Sequence, residues 1–437
     1  MEAVQLSSTN ARSRLMVPES AAVLKRFFFL QREIVLMQAG WIPGTAAWAA
    51  KLLLPELLWE DSTILRLLRE RVLELRFPER RIVPGEDAEL LSDWRAFRNA
   101  PDGIAFLAGL RELKRFLRRA YVSYLDVADA LNDGPSLRIL RSAIADIERQ
   151  LVAIDNAIGR EGAGETIPTA RWRDGVRDAL APSDACALLA PTPPRQTFDW
   201  SAAGGREFVF ARRAARDSQF QRLLFAWPDR LDNSRSPGEG LELQLRVAVH
   251  HCNEVWAAEM AAAVLWDFAE EAPHEFIEDA ARWCYDEIRH CRMGYSRLLD
   301  WGFREGELPL DSFSYDASAE ADPLVRLGTI FYFETTYIHT KSERTKIFTR
   351  VGDRLSAHDM DFDWADELIH THYGSRWLKH FLQARAEERS ADQIKAQAYQ
   401  LVRHVQESAS AADKAATEQA YRRLLQRAGE LAHRRRA

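Results

Sequence analysis

Two short stretches of the 437-residue chain carry the same chemistry: Asp286-Glu-Ile-Arg-His290 and, 80 residues later, Asp366-Glu-Leu-Ile-His370. Each holds a Glu-x-x-His in strongly helical context, so a carboxylate and an imidazole share one helix face, one turn apart. A lone carboxylate precedes each copy on another apolar helical stretch: Glu259 lies 28 residues before Glu287, and Glu334 lies 33 before Glu367. Four antiparallel helices that point Glu259, Glu287, His290, Glu334, Glu367 and His370 inward would hold two metal ions.

The residue types agree with that chemistry. Cations in a poorly solvated core need carboxylates to offset their charge, and one neutral imidazole for each metal leaves coordination positions open. Hard carboxylates with borderline imidazoles suit iron or manganese, and the lack of clustered thiolates argues against structural zinc. Glu259 sits in Trp256-Ala-Ala-Glu-Met-Ala-Ala-Ala263 and Glu334 in Ile330-Phe-Tyr-Phe-Glu-Thr-Thr-Tyr337. A carboxylate buried in such surroundings with no cation would cost several kcal/mol or take up a proton. Glu254 lies about 140° around the helix from Glu259, so the two cannot point equally well at one site. His250 and His251 precede Glu259 on the same helix, and His339 and His372 fall away from the ligand faces. Asp286 and Asp366, each directly before a Glu of the two motifs, are placed to hold the imidazole N–H of a ligand histidine on a neighbouring helix. Cys252, Cys284 and Cys291 read as small core residues.

The elements that must position these groups follow from periodicity and stop signals. An all-α fold is expected, because Leu, Ala, Arg and Glu dominate and few runs alternate as strands do. A polar segment, 1–20, leads into an N-terminal helical bundle over 21–160, with helices at Val23–Ala39, Thr45–Arg76, Ile104–Leu131 and Ser136–Ile158. Residues 161–238, with Pro193, Pro194, Gly204 and Gly205, read as a linker with short elements. The metal-binding four-helix bundle spans 239–390. Its helices run Leu241–Glu270, His274–Trp301, Leu324–Val351 and from near Asp363 past Trp377, with a long crossing loop in the middle. A helical tail occupies 391–437. The first bundle looks like a metal-free pseudo-repeat of the second, since Glu33 and Asp61 are also 28 residues apart but Ile64 stands where a histidine is needed.

Composition removes other classes. A net charge of −6 gives no electrostatic footprint for nucleic acid, and Arg434–Arg436 reads as a solvated tail. No apolar run is long enough to span a membrane, and no N-terminal signal is readable. Four cysteines, three of them clustered, do not make a disulfide framework, which points to the cytoplasm.

On Glu259, Glu287 with His290, Glu334, and Glu367 with His370, the third region resembles the ferritin-like superfamily of di-iron carboxylate proteins. The wording from His250 to Glu259 and from Asp286 to His290 is most similar to a bacterial branch of ferritin-like proteins near the tRNA-hydroxylating members. The resemblance implies a non-haem centre of two Fe ions, or a Mn/Fe pair, with Glu287 and Glu367 bridging and O2 as co-substrate. It also implies an external electron donor, a reductase or ferredoxin-like protein, because the chain shows no flavin or iron–sulfur motif. Tyr285, Tyr332 and Tyr337 are candidates for the tyrosine that radical-generating members carry near the metals. The 240 residues before the metal bundle suit a pocket wall or a homodimer interface better than a packed storage shell.

The leading expectation is a di-iron oxygenase or oxidase that hydroxylates, N-oxygenates or desaturates a small organic substrate in bacterial specialised metabolism. Trp256, Trp266, Phe331, Tyr332 and Phe333 would form its apolar walls. A ferroxidase or peroxide-handling iron protein without organic substrate is the alternative, a tRNA-hydroxylase-like enzyme the second, and an inactive scaffold the third.

Overall fold

The computed structural model describes residues 15–75, 82–160, 166–181, 185–193, 195, 197–232 and 234–434, with the side chains of Glu86 and Tyr337 outside this set. Most of the expected polar N-terminal segment, Pro194, the end of the basic tail (Arg435, Arg436) and the Tyr337 side chain therefore lie outside the described residues. The rest is almost entirely helical. In chain order the helices are α1 (Val17–Trp41), α2 (Trp48–Glu74), α3 (Ala88–Arg95), α4 (Gly103–Val127), α5 (Gly134–Arg160) and α6 (Ile167–Leu180). There follow α7 (Pro228–Leu231), α8 (Gly240–Asn253), α9 (Val255–Phe268), α10 (His274–Trp301) and α11 (Phe313–Asp316). The chain closes with α12 (Pro323–Arg350), α13 (Arg354–Ala384), α14 (Ala391–Ser408) and α15 (Ala411–Arg434). One parallel pairing joins β1 (Gln221–Leu223) to β2 (Pro309–Asp311).

The chain divides into two compact units, residues 1–37 with 60–209, and residues 38–59 with 210–437. The expected boundaries differ from this division in two places. Residues 38–59 cluster with the second unit, and much of the stretch read as linker belongs to the first, because α6 is amphipathic and buries Trp172, Val176 and Leu180. It packs on α4.

In the first unit, Phe27 of α1 meets Tyr121 and Tyr124 of α4 edge-on, at 4.9 and 6.2 Å between ring centres. The buried acids are neutralised from within. Lys114 Nζ donates to Asp61 at 2.5 Å and to Gln150 at 2.8 Å, and Arg95 forms a two-pronged pair with Glu33 at 3.0 Å. Asp61 is fully buried, so the Lys114 ammonium takes the place a metal would need.

In the second unit, packing closes a ring of four helical segments: α9 against α10, α10 against α13, α13 against α12, and α12 against α9. Local sequence sets the ends. Asp322 caps α12 with Pro323 in its first turn, Asp353 caps α13 by accepting from Ser356 N, and α10 stops before Gly302. Two glycines seven residues after the paired glutamates set the approach of the helices. A Cβ on Gly294 would lie 2.3 Å from Ala248 O and Cys252 N, and one on Gly374 would lie 2.3 Å from the Phe331 ring. Neither leaves room for a methyl group.

Because the atoms facing Gly294 are backbone and cannot swing away, Gly294→Ala is expected to destabilise the protein by about 1–3 kcal/mol. Gly159→Ala, where nothing lies within 4 Å, should be neutral or stabilising. Urea unfolding followed by circular dichroism decides it; equal stability of the two variants would contradict the packing described.

Candidate metal centre

Each of the four segments of the ring delivers carboxylates to one place. Glu254 comes from the α8–α9 junction, Glu287 and His290 from α10, Glu334 from α12, and Glu367 and His370 from α13. None of the six is more than 6% exposed. Their donor atoms fall into groups in which every pair lies within 4.8 Å: Glu287, Glu334, Glu367 and His370 in one, and Glu254, Glu287 and His290 in another. Two further groups bring in Asp363, one with His290 and Glu367 and one with His251 and Glu254. Glu287 and Glu367 each stand in a group with either histidine.

Five of the six residues expected from the sequence are thus brought together, and Glu259 is not. It is fully buried, but its Oε1 accepts from Lys51 Nζ and, at 2.6 Å, from Arg216 Nη1. The reason lies in the helix. What reads as one continuous helix is two, joined through a tightened turn in which Glu254 N bonds to His251 O and Ala257 N to Glu254 O. Asn253 fixes this turn: its amide nitrogen donates to Val249 O and to Pro309 O, and its oxygen accepts from Asp311 N of β2. Glu254 consequently faces the centre, and Glu259, well around the helix, faces the two cations. A signal for Glu254 was present, since it stands 33 residues before Glu287, the same separation as Glu334 from Glu367.

The histidines are oriented from behind. His290 Nε2 lies 3.2 Å from Asp366 Oδ2, and His370 Nε2 lies 3.4 Å from Asp286 Oδ2, so each motif's aspartate holds the other motif's histidine. Arg289 bridges the two aspartates, at 2.6 Å from Asp286 and 3.1 Å from Asp366, and Arg282 grips Asp286 at 2.7 Å. With Nε2 held, each Nδ1 points into the cluster: His370 Nδ1 lies 3.0 Å from Glu287 Oε1, and His290 Nδ1 lies 3.5 Å from Glu254, Glu287 and Asp363. Trp283 Nε1 donates to Glu334 Oε1 at 3.0 Å.

Four buried atoms at the middle, Glu254 Oε2, Glu287 Oε1, His290 Nδ1 and His370 Nδ1, have no well-directed hydrogen bond among the described residues, although His370 Nδ1 stands 3.0 Å from Glu287 Oε1. Orphaned atoms of this kind are costly unless a cation satisfies them. All four face one another from three helical segments, and a carboxylate–imidazole set of this composition fits iron or manganese. The residues present therefore fit a dinuclear centre.

The titration behaviour has the same cause. Burial lifts Glu254 to about 8, and burial with the neighbouring Glu367 and Glu287 holds Glu334 well above the ordinary carboxylate range. Burial also opposes charge on the imidazoles, but Asp286 and Glu287 outweigh it and raise His370 to about 9. For His290, Asp363 and Asp366 do the same. Lys341, 6% exposed, donates to both Asp363 and Glu367, and these acids hold its ammonium protonated despite burial. Lys341 and Asp363 carry no motif in the sequence and were not foreseen.

The expected aromatic wall divides. Tyr332 and Phe333 line a cavity beside the cluster, Trp256 packs on Phe333 at 4.8 Å, and Phe331 fills the notch at Gly374. Trp266 instead stacks on Phe210 at 5.9 Å. Tyr285 stacks on Trp59 at 4.5 Å, while the ring that packs beside His370 is Trp283, at 5.6 Å. Cys252, Cys284 and Cys291 are buried and unbridged.

Two outcomes follow. Glu254→Gln should abolish or strongly reduce metal retention, whereas Glu259→Gln should leave the metal content of folded protein unchanged yet destabilise it by about 3–5 kcal/mol, because Lys51 and Arg216 lose the carboxylate that both of them pair with; elemental analysis beside urea unfolding separates the two. Glu254 and His370 are raised above neutral pH and carry protons there in the metal-free protein, so a metal must displace them. Affinity should then rise as pH climbs through about 8 to 9, with protons released on binding at pH 7. An indicator-dye titration showing no release would contradict this.

A family model described as a protein of unknown function (DUF455) matches residues 211–424, a span that holds every ligand-type residue of the cluster. No curated protein and no solved structure matches the chain. The chain is thus similar, over the second unit, to a family whose function is unknown.

Proposed function

We propose that the second unit is a ferritin-like bundle and that its centre is a non-haem dimetal site, most simply two Fe ions, of an oxygenase or oxidase acting on a small organic substrate. The observation that carries this reading is the set of four orphaned donor atoms facing one another at the crossing of the helices, with both histidines held from behind by aspartates. A structural ion pair has its partners in place, as Asp61 has Lys114; here one ammonium, Lys341, and two imidazoles stand against five buried carboxylates.

When bound, two ferrous ions would supply electrons to O2, with one oxygen atom entering the substrate, the other leaving as water, and an external donor restoring two electrons. The protein's own groups do the rest. Glu254, Glu287, His290, Glu334, Glu367 and His370 would hold the metal pair. Asp286, Asp366 and Arg289 lock the imidazole planes, which fixes Nδ1 as the ligating atom. Trp283 fixes one oxygen of Glu334. Lys341 Nζ, held protonated by Glu367 and Asp363, offsets part of their charge and orients both carboxylates. The dry surroundings exclude competing water.

The oxygenase reading is favoured over plain iron handling by the aromatic-lined cavity next to Glu254. Anaerobic reconstitution with ferrous iron should give about two irons per chain, and the His290→Ala/His370→Ala double variant should bind none. The ferrous protein should consume O2 when given a chemical reductant. A wild-type protein that takes up no transition metal would remove the proposal.

A further inference from the structure

The cavity beside the centre, about 240 Å³ in volume, has an unusual charge for the partner of an acidic metal cluster. Arg230, Arg246 and Arg344 line it, and Asp229 is the one carboxylate in its wall. Arg246 Nε donates to Asp229 at 2.8 Å, but its Nη1 is buried and has no hydrogen-bond partner, although the residue is only 8% exposed. Arg344, half-buried, makes no hydrogen bond or ion pair among the described residues. Burial and the nearby Arg246 lower it to about 10, so it remains cationic, with Asp229, Asp363 and Glu254 acting on it from beyond ion-pair distance. Arg230 is different. It donates to Ser314 at 2.6 Å and lies over the Phe313 and Phe333 rings, and it reads as part of the wall.

The remaining surface is aromatic: Phe313, Tyr332, Phe333 and Tyr399. The cavity reaches the centre at His250, which also lines it and whose Nε2 lies 3.5 Å from Glu254 Oε1. Phe333 directly precedes Glu334, and Thr340, another wall residue, directly precedes Lys341. One side chain therefore separates the cavity from the metal ligands. A space of about 150 Å³ accommodates benzene, so this one has room for a ring with a charged substituent.

We propose that this cavity is the substrate site of the centre and that its occupant is a small organic anion, an aromatic or apolar body bearing a carboxylate or phosphate group that pairs with Arg246 and Arg344. Planar guanidinium groups suit both anions, which they engage through paired N–H donors. The aromatic walls take the body of the molecule, and the arginines set its orientation relative to Glu254. The claim rests on the oxygenase reading only in calling the occupant a substrate; the binding itself stands on the cavity, the unpartnered Nη1 of Arg246 and the Arg344 guanidinium, which makes no hydrogen bond or ion pair among the described residues.

The test is calorimetric titration of full-length protein, metal-loaded and chelator-stripped, with benzoate, phenyl phosphate, benzyl alcohol and inorganic phosphate. Benzoate or phenyl phosphate should bind at one site, and the stronger of the two names the anionic group. Benzyl alcohol and inorganic phosphate should each bind about tenfold or more weaker. Arg344→Gln should weaken the anionic ligand about tenfold or more and leave benzyl alcohol unchanged, with circular dichroism checking the fold. No binding of either aromatic anion to the wild type would overturn the proposal. So would benzyl alcohol binding as tightly as benzoate, or inorganic phosphate binding as tightly as phenyl phosphate. Metal content measured on the same samples keeps the two readings apart: anion binding by a protein that never takes up metal sinks the oxygenase reading alone, and metal uptake without anion binding sinks this one alone.

Discussion

Five carboxylates, Glu254, Glu287, Glu334, Asp363 and Glu367, converge in the dry middle of the second unit, and they cannot all stay ionised there unaided. Two like charges about 4 Å apart repel by on the order of 4 kcal/mol even at an effective dielectric near 20. The chain supplies one ammonium, Lys341, and two imidazoles against them. What remains is met either by protons, which is why Glu254 and Glu334 are pushed upward, or by cations from outside. The rest of the unit follows from that constraint. Asp286 and Asp366 are spent on the back of the histidines, and Arg282 and Arg289 hold those aspartates in turn. The caps and the close contacts at Gly294 and Gly374 keep the four segments in the one arrangement that aims the donors at each other.

The same molecule solves the buried-acid problem in another way elsewhere. Asp61 is met by Lys114 and Gln150, Glu33 by Arg95, and Glu259 by Lys51 and Arg216. There a cation attached to the chain arrives with its own geometry. At the centre of the second unit the acids face other acids and the inner nitrogens of histidines, and the single ammonium of Lys341 reaches only Asp363 and Glu367 among them by hydrogen bond. Buried acids therefore do not mark a metal site by themselves. The discriminating feature is whether the cations come with the chain.

This distinction explains what the sequence made legible and what it did not. The 80-residue echo of Asp-Glu-x-x-His placed Glu287, His290, Glu367 and His370 on the right helices, and α10 runs from His274 to Trp301 as its stop signals require. The crossed aspartates were legible because each sits one position before its glutamate. Glu259 looked like a ligand because an acid among alanines needs a cation, and the cations that answer it stand 208 and 43 residues away. Nothing local shows them. Glu254 was passed over because the junction at Asn253 depends on a contact with β2, more than 50 residues downstream. Lys341, Asp363 and the cavity wall have no spacing rule, since they meet only through the packing of α12 and α13 and of elements from Asp229 to Gln406.

Once Glu254 is in place, the two halves of the centre correspond residue by residue, and the departures from correspondence carry information. Glu254 matches Glu334, Glu287 matches Glu367, and Gly294 matches Gly374, with equal separations throughout. Three residues before the first acid stands His251 in one half and Phe331 in the other. Four residues before the second acid stands Trp283 in one half and Asp363 in the other. Seven after the first acid, Ala261 is matched by Lys341. His370 consequently has indole and phenol rings for neighbours, Trp283 at 5.6 Å and Tyr373 at 6.4 Å. His290 has Asp363, with Lys341 and His251 both bound to that same aspartate. The two halves are therefore chemically unequal despite matching carboxylates and imidazoles. The aromatic half holds Glu334 through the indole N–H, while the polar half carries the Lys341 ammonium and borders the cationic cavity through Glu254 and His250. A symmetric pair of ligand sets, made unequal at three positions, gives the centre a front and a back, and the front is the side where Glu254 replaces the residue that apolar context alone would have chosen.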